Sequence, residues 1–265
     1  MNELNQRIQC PIMKSSEALL PPILEGALKT SQVYDESGLP IPLDSNVSRD
    51  EALILNASVQ FLKPKDSVEI GLAKDVSTLA ILGAIDQNGF GRHVVCDPYQ
   101  SDYGNAGVEM VRRAGLDRWW EFHRKQAEEV VPTLGNVQFA FIDASHLFDL
   151  TLVEFVLIDK KLDEGGVVGF HDMWMPSLQK LLRFILANRA YEVWHPPEGT
   201  IVCPSIHSKR SIKHSIYRAI NRLPYIEKIV SPEIREPWHE KQISNLVMLR
   251  KLHHDNRDWK HFNPF

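Results

Sequence analysis

Acids and histidines recur in this chain directly after short apolar runs. Glu69 leads into Gly71, Asp75 and Ser77; Asp97 follows His93–Cys96; Asp143 and His146 follow Val137–Ile142; and the pair His171 and Asp172 follows Val167–Phe170. Carboxylates and imidazoles together are the groups that hold divalent cations and move protons near neutral pH. Unpaired carboxylates buried in a core are strongly unfavourable, so five acids and two histidines repeated at the ends of apolar runs point to a crevice rather than to packing. Any one of them alone reads equally well as a helix cap or a loop carboxylate.

The elements that must position them alternate. Strand-like runs at Ser67–Ile70, His93–Cys96, Trp119–Phe122, Val137–Ile142 and Val167–Phe170 are separated by helical patterns at Val76–Ile85, Ala106–Arg113, Leu150–Leu162 and Leu178–Leu186. Ahead of them, Ser48 and Glu51 form a capping-box pattern, and Ala52, Leu55, Val59 and Leu62 recur at helical spacing until Pro64. Tyr191–Trp194 and Asn245–Leu252 supply two further strands. This order predicts an α/β fold: a doubly wound, mostly parallel seven-stranded sheet with helices on both faces. In such a sheet the ligand crevice lies beyond the carboxyl ends of the strands, where the acids and histidines stand. Residues 1–47, with Pro21, Pro22, Pro40 and Pro42, read as short helical pieces and loops forming a lid. A single domain is expected, with its core at 48–203, an insertion at 204–243 and a last strand and tail at 244–265.

Charge and composition narrow the classes. The 265 residues are 43% hydrophobic and 24% charged with a formal charge of −4, which excludes collagen-like and wholly disordered chains. The longest stretch without Asp, Glu, Lys or Arg is Val130–Ile142, too short to span a bilayer, and the N-terminal stretch has no apolar segment of signal-peptide type. Three separated cysteines, Cys10, Cys96 and Cys203, give neither a disulfide framework nor a zinc spacing, and a cytoplasmic setting is expected. Pro204–Phe265 carries 12 Lys/Arg against 6 Asp/Glu, so the C-terminal quarter is basic while the rest is acidic. Aromatic interleaving is missing there, so nucleic acid is not expected as a partner; a small-molecule acceptor is, and self-association is compatible with the sequence.

The first loop specifies the ligand further. A nicotinamide site needs G-x-G-x-x-G, but Gly71 is followed by Ala73 and Val76 where the other glycines belong. An acid two residues before a lone glycine, with Asp97 at the next strand end, suits a ligand with an amino-acid head and a ribose but no phosphate. S-adenosylmethionine has those parts.

The runs VEIGLAKDVSTLAILGAI, HVVCDPYQSDYGNAGVEMVRRAGL, FIDASHLFDLTLVEFVLIDKKLDEGGVVGFHDMW and NLVMLRK resemble the class I S-adenosylmethionine-dependent methyltransferases. Within that class they are most similar to the bacterial branch near macrocin-type sugar O-methyltransferases, with the catechol O-methyltransferases as more distant relatives. The resemblance implies that Glu69, Gly71 and Ser77 line the methionine end of the cofactor, that Asp97 takes the ribose, and that the loop holding Gln126 and Ala127 borders the adenine. It implies divalent-metal ligands at Asp143, His171 and Asp172, with Mg, Mn, Fe or Zn as candidates, and puts His146 where the catechol enzymes keep a catalytic lysine. Asp143 and His146 would then be catalytic, the histidine taking the acceptor's proton. Asp75, Ala127 and His171 depart from the family pattern, standing in place of a glycine, a serine and an acid. The expected activity is metal-assisted O-methylation of a small polar acceptor such as a sugar or secondary metabolite. Two other readings remain open on the residues: a methyltransferase-fold binding protein without turnover, and a non-haem iron oxygenase built on His146, His171 and one Asp.

Overall fold

The computed structural model describes residues 20–44, 46–197 and 245–265. The expected insertion at 204–243 lies outside these residues, as does much of the expected lid. What is described of the lid begins with helix α1 (Pro22–Thr30) and continues into a hairpin of β1 (Gln32–Tyr34) and β2 (Pro40–Pro42). The hairpin corrects the expectation of helical pieces and loops alone. Pro40 and Pro42 sit in its edge strand, where a missing N–H is tolerated and a proline-rich run still pairs.

Helix α2 (Arg49–Leu62) starts on the expected box: the Glu51 N–H donates to Ser48 Oγ at 3.3 Å and the Ser48 N–H to Glu51 Oε2 at 2.7 Å. The alternation then runs β3 (Asp66–Ile70), α3 (Val76–Asn88), β4 (Arg92–Cys96), α4 (Ala106–Ala114), β5 (Trp120–His123), α5 (Ala127–Val130), β6 (Val137–Ile142), α6 (Phe148–Asp159), β7 (Leu162–Phe170), α7 (Pro176–Asn188), β8 (Tyr191–Trp194) and β9 (Val247–Lys251). Most boundaries shift slightly from those expected, and two shifts move a residue from one regular element to another. Trp119 closes a 3-10 turn rather than opening β5, and Leu162 opens β7 rather than ending α6. The extra length of β7 pairs Leu162 with Val137 across a register shift, which periodicity alone does not reveal.

The seven strands are ordered β5-β4-β3-β6-β7-β9-β8, with β9 antiparallel to both its neighbours and the other pairings parallel. Side chains alternate between two cores. Phe139 and Phe141 of β6 pack with α1 to α4, whereas Ala140 and Ile142 pack with α6 and α7. Strand order reverses between β3 and β6, and in that pair Ile70 lies opposite Ile142. Gly71 and Asp143, the residues that leave these strands, are therefore neighbours at the switch point. Among the described residues no helix is long and apolar enough to cross a membrane, and Cys96 is a lone thiol that burial pushes up to about 12.

Candidate active site

The side of the crevice expected to take the cofactor is built on β3 and β4. Glu69 is fully buried and accepts hydrogen bonds from Ser77 Oγ at 2.5 Å and Thr78 Oγ1 at 2.7 Å, while His93 Nε2 lies 2.9 Å from its Oε2. His93 in turn faces the Ser67 hydroxyl at 2.9 Å. The sequence reading gave His93 no part in the site; it holds Glu69 from behind. Ser77, expected against the methionine end, spends its hydroxyl on Glu69. Gly71 leaves β3 at φ +95, and a Cβ there would lie 2.1 Å from the carbonyl oxygen of Asp143, so only glycine permits the two loops to touch. The loop continues through Ala73 at φ +43 and Asp75 at φ +78, a conformation that costs non-glycine residues about 1–3 kcal/mol.

Asp97 clamps this loop. Its Oδ2 accepts from the Leu72 N–H at 3.1 Å, the Ala73 N–H at 3.0 Å and Gln100 Nε2 at 2.8 Å, and its Oδ1 accepts from the Tyr99 N–H at 2.8 Å. Oδ2 is thus saturated by the chain itself, while Oδ1 retains a free lone pair for a ribose hydroxyl. Asp97→Ala should weaken S-adenosylhomocysteine binding at least about tenfold and lower the melting temperature, because two loop amides lose their acceptor. Calorimetry showing parental affinity would remove Asp97 from the cofactor wall. Farther along the edge, Gln126 caps α5 and points its amide at the Tyr99 hydroxyl at 3.4 Å, whereas Ala127 is buried.

Beyond β6 and β7 the acids and imidazoles interleave. His146 Nε2 sits 3.1 Å from Asp143 Oδ1 and 3.2 Å from Asp172 Oδ2. One oxygen of each carboxylate and one imidazole nitrogen lie within 4.8 Å of one another, a spacing able to hold a metal ion. The backbone is left-handed at both His146 (φ +55) and Asp172 (φ +54), which is how two side chains from different loops turn toward a common point. His171 is turned differently. Its Nδ1 lies 3.4 Å from Asp143 Oδ1, and its Nε2 lies 3.5 Å from Glu51 Oε2 and 3.0 Å from Asn245 Nδ2. The ring is buried between α2 and the segment entering β9, and its Nδ1 also lies 3.7 Å from Asp172 Oδ1, so both imidazoles face the two carboxylates.

Protonation follows from these contacts. Burial disfavours a charged His171, but hydrogen bonds to Asp143 and Glu51 outweigh it and raise the imidazole to about 10. Burial also opposes ionisation of Asp143, yet His146 and His171 hold its carboxyl at about 2. His146 is raised by its hydrogen bond to Asp143. On α6, burial and then the charge of Glu128 push Glu154 up to about 7.

Every expected site residue stands at the same edge of the sheet. Glu51 and Asn245, which fix His171, carry no local motif for this role; Trp174, whose Nε1 donates to Asp172 Oδ1 at 2.9 Å, is signalled only by its place two residues after that acid.

Residues 68–173, from β3 to the residue after Asp172, match the family described as a methyltransferase domain. The matched stretch takes in β3 to β7 and both acid-bearing loops of the crevice. Over 166 residues it is 27% identical to the tapetum-specific methyltransferase 1 of Arabidopsis thaliana, covering 60% of this chain and 66% of that protein. It is 29% identical over 154 residues to a caffeoyl-CoA O-methyltransferase of Citrus natsudaidai, covering 52% of this chain and 64% of that protein. The matched stretch therefore spans just under two thirds of these relatives. The chain also shares its fold with the S-adenosylhomocysteine-bound O-methyltransferase of Bacillus cereus, at a TM-score of 0.51 and 18% identity, over 65% of this chain and 82% of that one. A Podospora anserina methyltransferase gives 0.53 and 16% over 66% and 82%.

Proposed function

We propose that this chain is an S-adenosylmethionine-dependent O-methyltransferase acting on a small polar acceptor, a sugar or another secondary metabolite. The observation that supports this most is the contact between the two halves of the crevice. Gly71 of the cofactor loop abuts Asp143 of the acid and imidazole cluster, which brings a bound nucleoside and an acceptor hydroxyl to adjoining positions. S-adenosylmethionine supplies the electrophilic methyl group. The chain supplies alignment, with Asp97 at the ribose and the Gln126 and Ala127 loop at the adenine.

His146 is assigned the acceptor's proton. Asp143 and Asp172 flank its ring and stabilise the imidazolium that results. The same three residues fit a divalent cation, with two hard oxygens and one imidazole nitrogen favouring Mn, Fe or Zn over Mg. When bound, such a cation lowers the pKa of a hydroxyl beside it. His171 stands beside this set, its Nδ1 toward Asp143 and Asp172 and its Nε2 toward Glu51 and Asn245.

Turnover of labelled S-adenosylmethionine against a panel of phenolic and sugar acceptors, with and without excess chelator, tests the proposal. Methylated oxygen in any product supports it. Loss of turnover in chelator, restored by Mn, assigns the cation; full turnover in chelator leaves the work to His146. Tight cofactor binding with no product across the panel would favour the binding-protein reading.

A further inference from the structure

One acid at the sheet edge has no partner. Asp75 opens α3, is 1% exposed, and neither of its carboxyl oxygens accepts a hydrogen bond among the described residues. The nearby Thr78 hydroxyl is spent on Glu69. Burial and the neighbouring Glu69 charge push the Asp75 carboxyl well above the usual range. Glycine would adopt φ +78 at no cost, so an acid there bears both backbone strain and an unmet need for hydrogen-bond donors. Two residues away Ala73 is also left-handed, and the amides of Leu72 and Ala73 are held by the carboxylate assigned to the ribose.

We propose that Asp75 accepts the α-ammonium group of the cofactor's amino-acid end, reached when the ribose hydroxyls compete for Asp97 and release the strained Gly71–Asp75 loop. This rests on the reading of the crevice as an S-adenosylmethionine site. The ligand's chemistry selects the partner. Unmet acceptor oxygens need N–H donors, which the ammonium has and the sulfonium lacks; the ligand's own carboxylate is repelled by Glu69 and Asp75 together; and the adenine lies at the far end, beside Gln126. In this chain the loop exchanges one set of hydrogen bonds for another as the cofactor enters.

The test compares two ligands by calorimetry: S-adenosylhomocysteine, which carries the amino-acid end, and 5′-methylthioadenosine, which does not. Asp75→Asn keeps the shape and tolerates positive φ; Asp75→Gly relieves the strain. Both should bind S-adenosylhomocysteine about 30-fold more weakly than the parent while binding 5′-methylthioadenosine within about twofold of it. Without ligand, Asp75→Gly should melt higher than the parent. Unchanged S-adenosylhomocysteine affinity in both variants overturns the proposal, as does an equal loss for both ligands, which would make Asp75 a support for the loop. If the parent binds neither nucleoside, the cofactor reading itself fails.

Discussion

Gly71→Ala should lower the melting temperature by roughly 6–12 °C and reduce S-adenosylhomocysteine affinity at least about a hundredfold. The added methyl would meet backbone on the far side: the Asp143 carbonyl oxygen at 2.1 Å and its carbon at 2.8 Å. No rotamer relieves a clash with main chain, and φ +95 is itself unfavourable for alanine. The ends of β3 and β6 must separate, which strains the 2.9 Å hydrogen bond from the Asp143 N–H to the Ile70 carbonyl. The combined cost is about 3 kcal/mol. Gly135→Ala is the control, because nothing lies within 4 Å of its added carbon. Equal melting and equal affinity for Gly71→Ala and Gly135→Ala would show that the loops adapt and that the contact does not organise the site.

Asp143→Ala should cut turnover at least about a hundredfold while changing S-adenosylhomocysteine affinity less than about threefold. Asp143 contacts both His146 and His171 through the same oxygen, so its removal leaves His146 with Asp172 as its one carboxylate and His171 facing Glu51. Mn affinity, read by electron paramagnetic resonance, should fall below detection. A second readout is pH. In chelator, the stability that His171 gains from its carboxylates is complete below its unfolded value near 6.5 and is lost as pH rises through about 10. Removing Asp143 should shrink the decline in melting temperature across that window. An unaltered alkaline profile would mean that His171 is charged independently of Asp143, and parental turnover would discard the cluster as the catalytic centre.

The parts of this site visible in the sequence are those carried by local pattern. Val137–Ile142 is apolar on both faces and bounded by turn residues, so its strand and the acid that follows it are legible together. The Ser48 and Glu51 box is equally local. What it does not announce is the second task of Glu51, because the contact with His171 spans 120 residues and depends on α2 packing across the sheet. The surroundings of the two histidines are hidden for the same reason. Glu51 and Asn245, brought in from distant segments, take the Nε2 side of His171 and leave its Nδ1 to the carboxylates, while His146 presents Nε2 to both of them. The hairpin of β1 and β2 is illegible because its prolines argue against any strand until an edge position is known.

The placement of β9 sets the order in which the site can be completed during synthesis. This strand comes last along the chain yet lies inside the sheet, between β7 and β8. Until it inserts, β8 has no neighbour to pair with, and Asn245 cannot reach His171. A ribosome that has finished β3 to β7 has made every acid and imidazole of the cluster but not the residue that orients one of them. Pairing across so long a separation is slow, so during translation the nascent domain exposes the open edge of β7. Catalytic competence should therefore lag behind formation of the parallel half of the sheet and arrive only when residues 245–251 dock.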